Sequence, residues 1–382
     1  MEYKFLLDIA IILFAAKIFG LFTRRMHMPQ VVGALLAGVI LGPAAFGIIR
    51  QTEFITTLAE IGVLLLMFSA GLETDFKRLR SSLKSSAVIA VIGVAVPLAL
   101  GFLIAFLFGQ DILKSFFIGL ILTATSISIT VETLNEMGKL KTKAGTAILG
   151  AAVFDDIFGV VLLSVFIGIN GGGITLLGIG VMLLKICGFF VCAAVCGFGV
   201  FKLFEILSVK FGNTRRLPIF GLGICFLMAF LAEQFGVADI TGAYIAGLVF
   251  CNSRSEKYIE EKSDVLSYMF FSPIFFVSVG LMTSFEGLNG RTVLFAVLLL
   301  IAAIVSKLLG CGFGAALCKF SRNEAVQVGA GMISRGEVAI IIATKGIIVD
   351  LLEQQLFSSV IIVVILTTLT APILVKAAFE RS

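Results

Sequence analysis

The segment Gly33–Gly38, GALLAG, recurs 209 residues later as Gly242–Gly247, GAYIAG. A second pair of segments has the same spacing: Ser69–Phe76 (SAGLETDF) and Ser278–Phe285 (SVGLMTSF) share Ser, Gly, Leu, Thr and Phe at matching positions. Small residues recur by chance in membrane helices, so either match alone is weak evidence. The common offset indicates that the chain contains two copies of one structural repeat.

The composition around these segments is that of a membrane protein. Hydrophobic residues make up 59% of the 382 residues and charged residues 14%, with a mean hydropathy of +1.13. Too few polar groups are available to cover a water-soluble globule, so we expect membrane lipid to surround the chain. The first apolar run contains Asp8 and Lys17 and lacks a small-residue cleavage site, which favours a retained helix over a signal peptide.

Apolar runs long enough to cross about 30 Å of hydrocarbon as helices recur along the whole chain. We therefore predict an all-α integral membrane protein in which residues 1–382 form a single transporter domain. The thirteen predicted spans lie near residues 3–22, 31–49, 56–72, 86–108, 115–135, 143–168, 174–203, 217–235, 239–252, 265–282, 292–318, 323–345 and 355–378.

The basic residues indicate the direction of these spans. Of the 29 Lys and Arg residues, 20 fall in loops on one side and 5 on the other when the spans are threaded in order. Because cytoplasmic loops are enriched in Lys and Arg, this bias predicts an outside N-terminus and a cytoplasmic C-terminus in the cell's inner (plasma) membrane. Membrane orientation thus explains the net charge of +5 without a nucleic-acid partner.

The offset and the span count together predict an inverted repeat. An offset of 209 residues maps the second span onto the ninth and the third onto the tenth, seven spans later. Seven is odd, so the two halves run through the membrane in opposite directions. We predict one six-helix repeat over residues 1–170, a linker helix at 174–203 and a second six-helix repeat over 215–382, as in many secondary transporters.

The sixth span, GAAVFDDIFGVV over residues 150–161, contains Asp155 and Asp156 in apolar surroundings. Each carboxylate costs about 2.5–3.5 kcal/mol at the centre of a membrane helix, so a functional role is favoured over a structural one. Neighbouring residues on a helix point about 100° apart, which gives the two acids different surroundings. One can face a solvated cavity while the other faces a neighbouring helix.

Lys307 lies halfway along the eleventh span, where an unpaired lysine would lose its proton. An ion pair with one of the two aspartates relieves both desolvation penalties, although a lysine that reaches the membrane interface is the alternative. Lys185 in the seventh span is similarly deep, and the sequence offers it no partner.

Two stretches, in spans paired by the same offset, have residues that suit a lipid-facing helix poorly. They predict interruptions of the two helices. They are Thr123–Ser128 (TATSIS) in the fifth span and Ser334–Glu337 (SRGE) in the twelfth. Hydroxyl side chains compete for backbone partners and glycine weakens a helix, so unwound backbone there could face an ion. Ordinary Ser and Thr in a packed helix, and a salt bridge of Arg335 with Glu337 at the cytoplasmic end, are the alternatives.

Cofactor chemistry has little support in the sequence. The seven cysteines contain no Cys-x-x-Cys pair, and His27 is the one histidine, so we expect no metal cofactor and no disulfide framework.

Met28–Pro43 (MPQVVGALLAGVILGP), the aspartate pair, Lys307 and Ser334–Glu337 together resemble the cation:proton antiporter superfamily. The resemblance covers essentially the whole chain, and the similar branch includes NapA-type and GerN-type sodium/proton antiporters and Kef-type potassium efflux systems. It implies a homodimer with a dimerisation part over residues 1–72 and 217–282 and a mobile core over 86–168 and 292–382. It also implies that the two interrupted helices cross beside the aspartates.

The resemblance also implies roles for individual residues. Asp156 would bind the cation, most readily Na+, or a proton, and Asp155 would pair with Lys307. Thr125 and Ser126 would lie at the break of the fifth span, and Glu337 would help to neutralise the helix ends, whereas Arg335 receives no firm role. The implied activity is monovalent cation/proton antiport by elevator-type alternating access. The triplet of Asp155, Asp156 and Lys307 predicts in addition that the exchange is electrogenic, with about two protons for one cation.

Two departures distinguish the chain from Kef-type systems, which resemble it but usually have a glutamine before the essential aspartate and a cytosolic nucleotide-binding domain. This chain has Asp155 there and ends at Ser382, so we expect no nucleotide-binding domain in it. A Kef-like K+/H+ antiporter and an electroneutral exchanger stay open as alternatives.

Two other classes of protein fit the sequence less well. Intramembrane aspartyl proteases need two aspartates from different helices that share a proton, whereas these two are adjacent on one helix. We therefore do not expect an enzyme. A cation channel fits less well than a transporter, since inverted repeats with paired broken helices suit alternating access.

Overall fold

The computed structural model describes residues 3–26, 28–170, 176–211, 216–251, 253–283 and 289–380. His27, Phe285 and Ser382, named above, lie outside the described residues. The described residues form sixteen α-helices: α1 (Lys4–Arg25), α2 (Gln30–Leu41), α3 (Glu53–Glu73), α4 (Phe76–Leu107), α5 (Ile112–Thr123), α6 (Ile127–Glu136), α7 (Lys143–Asn170), α8 (Leu176–Phe211), α9 (Arg216–Gln234), α10 (Asp239–Phe250), α11 (Glu256–Leu266), α12 (Ser272–Leu281), α13 (Gly290–Leu317), α14 (Arg322–Gly331), α15 (Glu337–Ile348) and α16 (Gln354–Glu380). A π-helical turn, Ser267–Phe271, joins α11 to α12.

Ten helical stretches within the described residues are long and apolar enough to cross a membrane, and three shorter apolar helices accompany them. Helices dominate because lipid offers no hydrogen-bond partner to the backbone, and a helix pairs its own N–H and C=O groups. The prediction of an all-α membrane protein is confirmed. The number of crossings, their direction and the repeat stay predictions.

Helix α4 starts earlier than the predicted span at residue 86. The side chain of Asp75 accepts hydrogen bonds from the backbone N–H groups of Lys77 and Arg78 and caps the helix at Phe76. The predicted start at residue 86 is where the apolar residues begin, whereas the helix itself begins at its capping residue.

The helices pack in two groups. We call α1–α3 and α9–α12 the frame bundle and α4–α7 with α13–α16 the core bundle. In the frame bundle α10 packs on α3 and α9, and α12 on α2; in the core bundle α4 packs on α5, α7 and α13. Helix α8 contacts α7, α9 and α10, and α6 contacts α2 and α3 as well as α7 and α16, so α6 lies at the boundary of the bundles.

Four glycines of the repeated segments bring the frame helices into backbone contact. A Cβ at Gly38 would lie 2.8 Å from the Gly280 Cα, and one at Gly71 would lie 2.9 Å from the Gly247 Cα. Gly38 and Gly247 are equivalent positions 209 residues apart, and so are Gly71 and Gly280. Exchanging the two repeats therefore turns the Gly38–Gly280 contact into the Gly247–Gly71 contact. A two-fold relation between the halves would produce this exchange, which supports the predicted repeat.

We expect Gly71→Ala to destabilise the protein, because the new Cβ would lie 2.2 Å from the Tyr244 carbonyl oxygen. Helix α3 would have to move away from α10 to relieve this clash. Overpacking of this kind costs about 1–3 kcal/mol. The measurement is the midpoint of thermal unfolding of the purified protein in detergent, with fluorescence-detected gel filtration as the readout. Gly223→Ala is the control, since no atom lies within 4 Å of a Cβ there. Equal midpoints for both variants would contradict the close crossing.

Candidate ion-binding site

Both predicted helix interruptions are present, and they touch each other. The first, residues 124–126, separates α5 from α6, and the second, residues 332–336, separates α14 from α15. The backbone N–H of Ser126 donates to the carbonyl oxygen of Ser334 at 2.8 Å, and the Thr130 hydroxyl donates to the Gly331 carbonyl oxygen at 2.7 Å. The two interrupted helices are therefore joined at their breaks.

Local chemistry explains why the chain unwinds at these positions. The Thr123 hydroxyl donates to the Leu120 carbonyl oxygen at 2.7 Å, at the residue where α5 ends. In the second break, a Cβ at Gly336 would lie 2.6 Å from the Ser126 side chain, so only glycine permits this approach. Thr125 and Ser126 are both buried at the first break.

Three hydroxyl oxygens at or next to the breaks are buried without a hydrogen-bond partner among the described residues: those of Ser126, Ser128 and Ser334. Buried polar atoms are normally paired, so unpaired ones need an explanation such as an absent ligand or water. Oxygen atoms are the ligands that alkali and other hard cations prefer. The crossing can therefore supply oxygen ligands to a cation.

Arg335 is 1% exposed and lies within the second break. Its guanidinium donates to the carbonyl oxygens of Met332 and Ile333, each at 3.2 Å, and of Ala303 at 3.3 Å. The positive charge thus stabilises carbonyl groups at the C-terminal end of α14, the negative end of the helix dipole. The backbone of Glu337 opens α15, and its side chain lies outside the described part.

Asp155 and Lys307 form a buried ion pair between α7 and α13. The Lys307 Nζ lies 3.0 Å from the Asp155 Oδ1, and the two side chains are 0% and 2% exposed. Charges in such a place are stable only when paired, since each alone carries a large desolvation penalty.

Asp156, the next residue, faces the frame bundle. Its Oδ2 accepts a hydrogen bond of 3.1 Å from the Thr241 hydroxyl of α10, and its side chain is partly buried. A cavity of about 10 Å³ beside it is lined by residues including Met67, Ile127 and Tyr244. This is room for about one water molecule. The adjacent carboxylates therefore have different partners, one in the core bundle and one across the boundary.

Sequence reasoning missed Thr241. Its counterpart in the first repeat, 209 residues earlier, is the apolar Val32, so a polar residue here breaks the repeat pattern. That difference was a signal, but only the fold shows that Thr241 reaches Asp156. Lys185, left without a partner in the sequence, lies on an exposed face of α8.

Comparison with known proteins gives a consistent result. The profile described as "Sodium/hydrogen exchanger, transmembrane" matches residues 10–381. The chain is 39% identical over 383 residues to the Na(+)/H(+)-K(+) antiporter GerN of Bacillus cereus, covering 99% of this chain and 97% of GerN. It is 41% identical over 378 residues to the probable Na(+)/H(+) antiporter GerT of the same organism, covering 98% and 99%. The structure of the sodium proton antiporter MjNhaP1 from Methanocaldococcus jannaschii at pH 8 superposes with a TM-score of 0.74 at 18% identity, covering 100% of this chain and 99% of MjNhaP1.

Proposed function

The chain belongs to the transmembrane sodium/hydrogen exchanger family, and we propose that it is a multi-pass plasma-membrane antiporter that exchanges a monovalent cation, most readily Na+, for protons. The observation that carries the proposal is the position of Asp156. Its carboxylate lies at the boundary of two helix bundles, within bonding reach of Thr241 and one residue from a buried ion pair.

Competition at Asp156 couples the two ions in this proposal. An ionised carboxylate binds the cation, and a protonated one does not, so one site carries either ion but never both. The Thr241 hydroxyl holds the Asp156 Oδ2 when no cation is bound. The carbonyl and hydroxyl oxygens of Thr125 and Ser126 at the nearby break would complete the shell of a cation that has lost most of its water, because a cavity of about 10 Å³ holds only about one water molecule.

Alternating access follows if the core bundle moves past the frame bundle in an elevator-type motion. Asp155, Asp156, Lys307 and both breaks belong to the core bundle, whereas Thr241 belongs to the frame bundle. The close glycine crossings hold the frame helices together, which suits a fixed part that pairs in a homodimer. The Asp156–Thr241 hydrogen bond would break and re-form as the core moves.

The buried ion pair supports electrogenic exchange. If cation binding at Asp156 disturbs the pair, Lys307 releases a second proton, and two protons exchange for one cation. Potassium is the second candidate cation, because the similar protein GerN is a Na(+)/H(+)-K(+) antiporter by name. Electroneutral exchange and a cation channel are the alternatives. The vesicle experiment below separates the channel from an antiporter, and charge displacement by the wild type separates electroneutral from electrogenic exchange.

Reconstituted vesicles that contain a pH-sensitive dye test the proposal. We expect added Na+ to drive proton movement out of acid-loaded vesicles in both the presence and the absence of a membrane potential, because antiport needs only the two ion gradients. K+ and Li+ supply the comparison for selectivity. Proton movement that persists without any counter-cation gradient, or Na+ flux without proton movement, would contradict antiport.

A further inference from the structure

A cavity at the C-terminal end of α6, away from the break, contains a carboxylate that has no role in the proposed transport mechanism. Two adjoining cavities of about 240 and 450 Å³ share the residues Gln30, Glu132, Glu136 and Tyr268, and we call them together the α6 cavity. It lies where α1, α2 and the π-helical turn of the frame bundle face α6 of the core bundle. The α6 cavity and the small cavity beside Asp156 have no lining residue in common.

Glu136 has a structural partner in the α6 cavity. Its Oε2 accepts a hydrogen bond of 2.9 Å from the backbone N–H of Gln30, the first residue of α2. A carboxylate at a helix N-terminus satisfies free N–H groups and interacts well with the helix dipole. The N-terminal end of α2 therefore stabilises its negative charge.

Glu132, one turn earlier on α6, has no such partner. Its side chain is 6% exposed and lines the α6 cavity, and among the residues that the structure describes it has neither a hydrogen bond nor an ion pair. The charges that act on it most are the carboxylates of Glu136, Asp264 and Glu73.

The basic residues on the wall of the α6 cavity do not neutralise Glu132. Lys17 lines the cavity of about 240 Å³, and Arg24 and Lys376 line the cavity of about 450 Å³. No ion pair joins Glu132 to Lys17 or Arg24 in the described residues, and Lys376 pairs with Glu380 at 3.5 Å. A buried, unpaired carboxylate among negative charges is unstable unless a proton or a cation binds to it.

We propose that Glu132 is a second ion-binding site, at which a monovalent cation and a proton compete within the α6 cavity. A monovalent ion fits because Glu132 contributes one uncompensated charge while Glu136 is held by α2. The Tyr268 and Gln30 side chains on the cavity wall can supply neutral oxygen ligands, and the cavity volume leaves room for water on the ion. The ion would be hydrated here and dehydrated at Asp156.

Equilibrium binding of radioactive Na+ to the purified full-length protein tests this site separately from transport. We expect about two Na+ per chain for the wild type, about one for Asp156→Asn, about one for Glu132→Gln and none for the double variant, since the two sites are independent. Binding in Asp156→Asn should fall as the pH is lowered, because protons compete for Glu132. Glu261→Gln, an exposed acid on the nearby α11, is the matched control and should leave binding unchanged.

The outcomes separate the two proposals. Loss of all Na+ binding in Asp156→Asn, or binding in that variant that Glu132→Gln leaves intact, would overturn the Glu132 site while leaving the transport site standing. Wild-type binding and exchange in Asp156→Asn would instead refute the proposed function. If Glu132→Gln elutes as an aggregate, Glu132→Met in the Asp156→Asn background provides the same comparison, since methionine fills the volume without a charge or an oxygen ligand.

Discussion

Asp156→Asn should abolish cation/proton exchange while the folded protein stays in the membrane. Asparagine keeps the size of aspartate and an oxygen that accepts the Thr241 hydrogen bond, but it neither binds a proton nor carries a charge for the cation. The measurement is Na+-driven dye dequenching in vesicles with matched amounts of protein. We expect the rate to fall to that of protein-free vesicles.

Asp350→Asn is the matched control for this variant. Asp350 is an exposed loop residue with φ of 56° that contacts neither break, and asparagine accepts such a backbone conformation well. Its exchange rate should equal that of the wild type. Coupled exchange by Asp156→Asn at a rate near that of the wild type would eliminate Asp156 as the shared site.

Lys307→Gln should either stop transport or convert it to electroneutral exchange. The substitution removes the group that would release the second proton, so one cation would exchange for one proton. One elementary charge is worth about 2.3 kcal/mol per 100 mV of membrane potential, so the wild type should respond to voltage. Charge displacement on a solid-supported membrane after a Na+ jump measures this, with Lys84→Gln, an exposed residue on α4, as control.

The buried partner complicates that variant, and a second one resolves it. Lys307→Gln leaves Asp155 buried without its ion pair, which costs about 3–5 kcal/mol when one partner of such a pair is removed. The double variant Asp155→Asn with Lys307→Gln removes both charges and should regain most of the lost thermal stability. A wild-type protein that exchanges ions with no net charge movement, whatever the imposed potential, would make Lys307 a structural residue.

Much of the fold could be predicted because its causes are local in the sequence. Apolar runs locate the membrane helices, since lipid accepts little else. Both breaks could be located because the residues that cause them weaken a helix locally, whatever its neighbours. These are the hydroxyl residues near Thr125 and the pair Arg335-Gly336. Asp155 and Lys307 needed partners on energetic grounds, and the structure places them 3.0 Å apart.

The rest depends on contacts between distant segments. Thr241 matters because α10 passes beside Asp156, and nothing in the residues around it indicates that approach. Glu132 reads in sequence as one more acid near the end of a helix, and only the packing of α6 against the frame bundle buries it. The role of Arg335 required the path of the chain through the break, since its partners are backbone carbonyl groups.

The hydrogen bond between the two breaks runs from the Ser126 N–H to the Ser334 carbonyl oxygen, so no side chain takes part in it. Alanine scanning cannot remove such a bond, because alanine keeps the backbone N–H and carbonyl groups. Replacing the amide of Ser126 by an ester through semisynthesis deletes the donor and keeps the serine side chain. Side-chain substitutions at residues 126 and 334 therefore test the hydroxyl groups as ion ligands, whereas the ester tests the hydrogen bond that joins the two halves of the protein.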